Sequence, residues 1–89
     1  MRPSKTTTTL STHKAIMTDE KKQHAREQIG QRISEIRKAQ GISQTELAER
    51  SGVGRTHLIR IEQGKYNLQI DTLAALADAM NYKIDFVEK

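Results

Sequence analysis

The chain has 89 residues, with 15 Lys+Arg against 11 Asp+Glu, no Cys, no Trp, one Phe, two Tyr and one Pro. That length suits one domain with room for a tail. The absence of cysteine excludes a disulfide scaffold and a thiolate metal site and points to a reducing compartment.

Apolar runs fall far short of the roughly 20 residues a membrane helix needs, and no apolar core follows the first charges as in a secretory leader. Hydrophobic residues make up 35% of the chain, low enough to expect that part of it does not fold. A core this small buries only about 60% of its unfolded surface, so association between chains would add needed stability. Charge is unevenly spread. Residues 1–60 carry 12 basic and 6 acidic side chains, whereas residues 61–89 carry 3 basic and 5 acidic. A basic first two thirds suits nucleic acid or an anionic surface.

Residues 1–17 read as a disordered tail. Thr6-Thr7-Thr8-Thr9 is low in complexity, Pro3 and Ser4 precede it, and Leu10 and Ile16 are the large aliphatic residues. Thr18 then caps a helix whose first turn holds Asp19 and Glu20, where negative charge suits the dipole. Ala25, Ile29, Ile33 and Ile36 follow at spacings of 4, 4 and 3, one face of a helix expected over Asp19–Gln40. Gly41 stops it. Gly30, inside it, costs about 1 kcal/mol against Ala and is expected to let the first part fray or bend.

Ser43-Gln44-Thr45-Glu46 forms a capping box, in which Ser43 takes a backbone N–H and Glu46 reaches back. Leu47 and Ala48 face inward from a short helix ending near Arg50. Gly52 reverses the chain in the left-handed conformation, and Val53 plugs the turn. A third helix over Arg55–Gln63 turns Leu58 and Ile61 inward and ends at Gly64. A fourth, Ile70–Met80, carries Leu73, Leu76, Ala77 and Met80 on its apolar face with Ile70, and Leu68 precedes it. Asn81 is its C′ residue. Tyr82-Lys83-Ile84-Asp85-Phe86 alternates apolar and polar, the period of a half-buried strand. The Met17, Met80 and isoleucine stripes read as ordinary core.

Two helices joined by so short a link cross steeply, which requires a small residue at Ala48, a reversal at Gly52, and Val53, Leu58 and Ile61 to fill the wedge. Jointly these features indicate a helix-turn-helix. No nucleophile–base set, phosphate-binding glycine loop or paired carboxylates occur, so no enzyme, cofactor or metal site is expected. The three histidines are too scattered to hold a metal.

The run Gln44-Thr45-Glu46-Leu47-Ala48-Glu49-Arg50-Ser51-Gly52-Val53, with Ile61-Glu62-Gln63-Gly64-Lys65 after it, resembles the Cro/phage-repressor, or Xre, type of helix-turn-helix protein. The resemblance spans about Ile29 to Ile84. It departs at Leu68, where the family often has Pro, and at Gly54, where it often has a polar residue. It implies an all-α, compact bundle of four or five helices over residues 18–81, to which the pattern adds the C-terminal strand at 82–89. It also implies duplex DNA binding, mostly by homodimers and mostly in repression, with the third helix in the major groove.

By position, the resemblance makes Arg55, Thr56 and Arg60 the base readers. Arg offers two parallel hydrogen bonds to guanine, and Thr offers its methyl to thymine. Ser43, Gln44, His57, Lys65, Tyr66 and Asn67 match or border phosphate-contacting positions, and the start of the second helix favours an anion. Arg37 and Glu62 match a structural ion pair between the first and third helices. Tyr82, Ile84 and Phe86 would form a dimer contact by pairing with the same strand of a second chain; the alternative is a frayed tail folded back on its own fourth helix. The expected partners are double-stranded DNA with a palindromic operator and a second copy of the chain. The expected setting is the cytoplasm of a bacterium, on its nucleoid, including a phage protein there. Two alternatives stand beside this: an antitoxin that binds its operator and a protein toxin, and an interaction module that has lost DNA binding.

Overall fold

The computed structural model describes residues 16–89, so the tail expected over 1–17 lies outside the described residues except for its last two. Ile16 and Met17 are both exposed, so Met17, which precedes the first helix, is not the core residue expected.

Four helices follow: α1 (Asp19–Ala39), α2 (Gln44–Ser51), α3 (Arg55–Glu62) and α4 (Ile70–Ala79). The Thr18 hydroxyl accepts the Lys21 N–H at 3.1 Å and starts α1, with Asp19 and Glu20 in the first turn. Ser43 caps α2 in the same way, accepting from Glu46 N–H at 3.0 Å. The capping box is only half made. Glu46 does not return to Ser43; its carboxylate pairs with Arg50 one turn on, since a nearby cation outcompetes a backbone N–H that water already reaches.

α1 and α3 end alike. Gly64 follows α3 with φ 73°, its N–H bonding to Ile61 O at 3.0 Å while Lys65 N–H bonds to Arg60 O at 3.0 Å. α1 closes so on Gly41. α4 ends on Asn81, φ 65°, with Tyr82 N–H on Ala77 O at 2.8 Å. These are Schellman closures, and each satisfies carbonyls that the helix leaves open.

α1 packs on α3, and α2 packs on both α3 and α4. The core they enclose is Ile33, Ile36, Ile42, Leu47, Ala48, Leu58, Ile61, Leu76 and Met80, with Val53, Leu68, Leu73 and Ala79 against it. Ile70 is not part of it, being 64% exposed. At 100° per residue it stands roughly 70° from the centre of the Leu73/Leu76/Ala77/Met80 stripe.

Gly30 reverses its expected role. α1 runs unbroken through it, and the residue is buried where α1 touches the end of α3. A Cβ there would lie 2.2 Å from Ile61 O and 2.9 Å from Glu62 O. The missing side chain lets the two backbones approach, so the helix neither frays nor bends there.

The C-terminal strand does not form within the chain. Residues 82–89 have no strand assignment, and the described residues contain no strand to pair with them. A strand is a hydrogen-bonded ladder and needs a second edge. The segment instead runs beside a groove of about 400 Å³, which Tyr82 and Ile84 line together with Ile29 and Ile33 of α1 and Leu73 of α4. Among the described residues no helix is long and apolar enough to cross a membrane.

Candidate nucleic-acid interface

The turn between α2 and α3 is Gly52-Val53-Gly54. Gly52 has φ 75° and ψ 10°, a conformation in which a side chain would be strained. Its N–H closes α2 on Ala48 O at 2.9 Å. Ser51 braces the turn: its hydroxyl donates to Ala48 O and accepts from Val53 N–H, at 3.3 and 3.2 Å. Leu47 and Leu58 are fully buried, Ile61 is 1% exposed, and Ala48 leaves space for the crossing.

With Leu58 and Ile61 inward, the other side of α3 is set by the helical repeat. Arg55, Ile59, Thr56 and Arg60 spread over about 140° of its surface. Arg55, Thr56 and Arg60 are exposed, and among the described residues neither arginine makes an ion pair. Gly54 caps α3 without a side-chain hydrogen bond.

The phosphate candidates divide into two groups. Lys65, Tyr66 and Asn67 are exposed on the loop after α3, and Ser43 is exposed ahead of α2. Gln44 and His57 are engaged within the fold. Gln44 Nε2 donates to Glu62 Oε1 at 3.1 Å, which leaves its second N–H for another acceptor. The His57 ring lies edge-on to Tyr66, with centroids 4.2 Å apart and planes at 77°, and its Nε2 is buried without a partner in the chain. His57 therefore turns toward the loop rather than toward the open face of α3.

Arg37 and Glu62 form a two-pronged pair, Nε to Oε2 at 2.8 Å and Nη2 to Oε1 at 3.0 Å. The hydrogen bonds that Arg37 donates to Glu62, with the carboxylate's charge adding to them, raise the Arg37 guanidinium above its usual pKa despite opposition from burial.

The sequence reading missed the support beneath the loop. Gln23 Nε2 donates to Gly64 O at 2.9 Å, and Arg26 Nε in turn donates to Gln23 Oε1 at 2.9 Å. A Cβ on Gly64 would meet Glu27 Cγ at 2.7 Å, so the early part of α1 packs directly under the turn. Gly30, which packs on Ile61 and Glu62 at the end of α3, is the one residue of α1 whose type marks a close approach to that end.

A helix-turn-helix family (HTH_3) matches residues 33–87. The chain is 37% identical over 59 residues to the immunity repressor protein of Bacillus phage phi105, covering 66% of this chain and 41% of the repressor. It is 43% identical over 61 residues to the HTH-type transcriptional regulator SinR of Bacillus subtilis, covering 68% of this chain and 43% of SinR. The chain thus spans about two fifths of the length of these two relatives. Among solved structures it is similar to the restriction-modification controller protein C.AhdI from Aeromonas hydrophila. That likeness has a TM-score of 0.66 at 33% identity, over 67% of this chain and 91% of that one.

Proposed function

The chain belongs to the helix-turn-helix family, and on that premise we propose that it is a sequence-specific, double-stranded DNA-binding transcriptional repressor that acts as a homodimer. The observation that carries the proposal is the outer face of α3. Arg55, Thr56 and Arg60 stand exposed and unengaged on a helix held rigidly by Leu58 and Ile61. A solvated surface helix has no need for that rigidity, whereas a helix that reads base edges does. Lys65, the Tyr66–Asn67 backbone, Ser43 and the free N–H of Gln44 supply the phosphate contacts that fix its register on the duplex.

The names of the relatives support regulation of transcription: an immunity repressor and a transcriptional regulator. Tyr82, Ile84 and Phe86 form the contact between two copies. A dimer of this kind places two α3 helices about 34 Å apart, one turn of DNA, and so calls for a palindromic site.

Selection from a random duplex pool, followed by footprinting, tests the proposal. The expected result is one enriched motif with two inverted half-sites about one turn apart. A pool that shows no enrichment over successive rounds would overturn it.

A further inference from the structure

We infer that Arg26, on the part of α1 that precedes the family's matched residues, is a further DNA-phosphate contact, and that Gln23 holds its guanidinium in place. This rests on the DNA-binding reading above and extends that interface onto an element not yet assigned to it.

The family match covers residues 33–87, and α1 begins well before it, at Asp19. These early turns are seated firmly on the proposed interface. A Cβ on Gly30 would stand 2.2 Å from Ile61 O, and one on Gly64 would stand 2.8 Å from Glu27 Cα. Backbone thus meets backbone at two places. They fix α1 on the end of α3 and on the turn that opens the Lys65–Asn67 loop.

Gln23 links that turn to Arg26. Its Nε2 donates to Gly64 O at 2.9 Å and to Glu27 Oε2 at 3.2 Å, while its Oε1 accepts from Arg26 Nε at 2.9 Å. Turned the other way, the amide would lose all three bonds. Arg26 Nε is therefore joined to the Gly64 carbonyl through one amide, a span of at most about 8 Å. Lys65, the cation of the loop, follows that carbonyl directly. Phosphates of one strand succeed each other about every 3.4 Å of duplex axis. A guanidinium so placed reaches the phosphate that the loop holds, or its neighbour.

Arg26 also differs from the arginine three turns further along the same row of α1. The guanidinium of Arg37 is taken up by Glu62 and Ile42 O. Arg26 has only its Nε engaged. Among the described residues its two terminal nitrogens make no hydrogen bond and its charge makes no ion pair. The neighbouring Glu27 carboxylate turns to Gln23 instead. Bracing Gln23 needs the single Nε–H. The remaining fork fits two oxygens of one phosphate, and that anion would offset the repulsion between Arg26 and Lys65.

Binding of the full chain to a random-sequence duplex between about 50 and 200 mM salt, read by fluorescence anisotropy, tests the contact. Arg26→Gln should lower affinity roughly tenfold per bound chain near 100 mM salt. It should also make the slope of log K against log salt shallower by about 0.9 per bound chain. Arg26→Lys keeps the charge and should keep the wild-type slope. Arg32→Gln, which removes an exposed arginine of α1 paired with Glu35, should leave the slope unchanged. Arg26 is only partly buried, so the variants should fold, which circular dichroism checks. If Arg26→Gln and Arg26→Lys both weaken binding at the wild-type slope, Arg26 only braces the loop and the contact is overturned. Wild-type binding by Arg26→Gln overturns it as well, and so does an equal change in slope for Arg32→Gln, which would trace the effect to net charge. A wild-type affinity that ignores salt would instead overturn the DNA-binding reading itself, and this contact with it.

Discussion

Arg37 and Glu62 meet as a two-pronged ion pair whose side chains are 10% and 6% exposed, and each also reaches a third element. Arg37 Nη1 donates to Ile42 O at 3.0 Å, and Glu62 Oε1 accepts from Gln44 as well as from Arg37. One carboxylate thus joins the end of α1, the start of α2 and the end of α3. Those three points fix the angle between α2 and α3, and so the direction in which Arg55 and Arg60 project. The pair is structural, but the orientation of the proposed reading face depends on it.

Breaking this pair from one side leaves a buried charge uncompensated. Arg37→Met or Glu62→Leu alone should lower stability by about 3–5 kcal/mol, while the double variant should come much closer to wild type. Urea unfolding of the three variants measures this. Arg37 has a raised pKa, so its contribution is fully present below the ordinary guanidinium pKa and is lost only as pH rises through the raised value. The coupling energy from the double-mutant cycle should therefore be unchanged between pH 7 and roughly pH 10. A fall across that window would contradict a guanidinium held in its charged form.

Gly30→Ala should destabilise the protein, against the helix-propensity expectation of a gain of about 1 kcal/mol. The added methyl has no room, at 2.2 Å from Ile61 O, and backbone cannot swing aside as a side chain can. The loss should be about 1–3 kcal/mol, as for other overpacked contacts. Thermal unfolding decides the sign.

The parts readable in the sequence were those governed by local rules. Thr18, Ser43, Gly52, Gly64 and Asn81 act within a few residues of themselves, and they placed the helix ends within one residue of where they fall. Leu47, Leu58, Ile61 and Leu76 showed their inward direction by helical spacing, and all are buried. What could not be read depended on distant partners. Gly30 looks like a flaw until the end of α3 lies against it. Gln23 is an ordinary polar residue until Gly64 O stands 2.9 Å away. Gln44 suited a free phosphate ligand by position, but its bond to Glu62 arises only when α2 and α3 cross. The alternation at 82–86 was visible, yet strand formation depends on an edge outside the chain.

DNA affinity should depend steeply on salt. With about three to five phosphate contacts per chain, a dimer releases roughly six to ten counterions, and affinity should fall by about 10³ to 10⁵ between 50 and 200 mM salt. Fluorescence anisotropy over that range on the selected duplex measures the slope. A flat response would remove Lys65, Ser43 and their neighbours as phosphate contacts.

Substitutions on α3 and on α2 should separate reading from anchoring. Arg55 and Arg60 are exposed and tied to nothing within the described fold. Arg55→Ala and Arg60→Ala should therefore leave the urea midpoint within about 0.5 kcal/mol of wild type. Each arginine that grips a guanine edge should reduce discrimination by about 1–3 kcal/mol, seen as a larger loss on the selected site than on random duplex. Gln44 differs, because its amide already donates to Glu62 Oε1. Gln44→Ala should cost stability of about 1 kcal/mol from that hydrogen bond and should weaken all duplexes alike, since a phosphate contact carries no sequence information. The comparison of Kd on selected and random duplexes, with unfolding measured beside it, separates the two roles. Equal proportional losses for all three variants on both duplexes would mean that Arg55 and Arg60 touch only the backbone, and that sequence is read from elsewhere on α3.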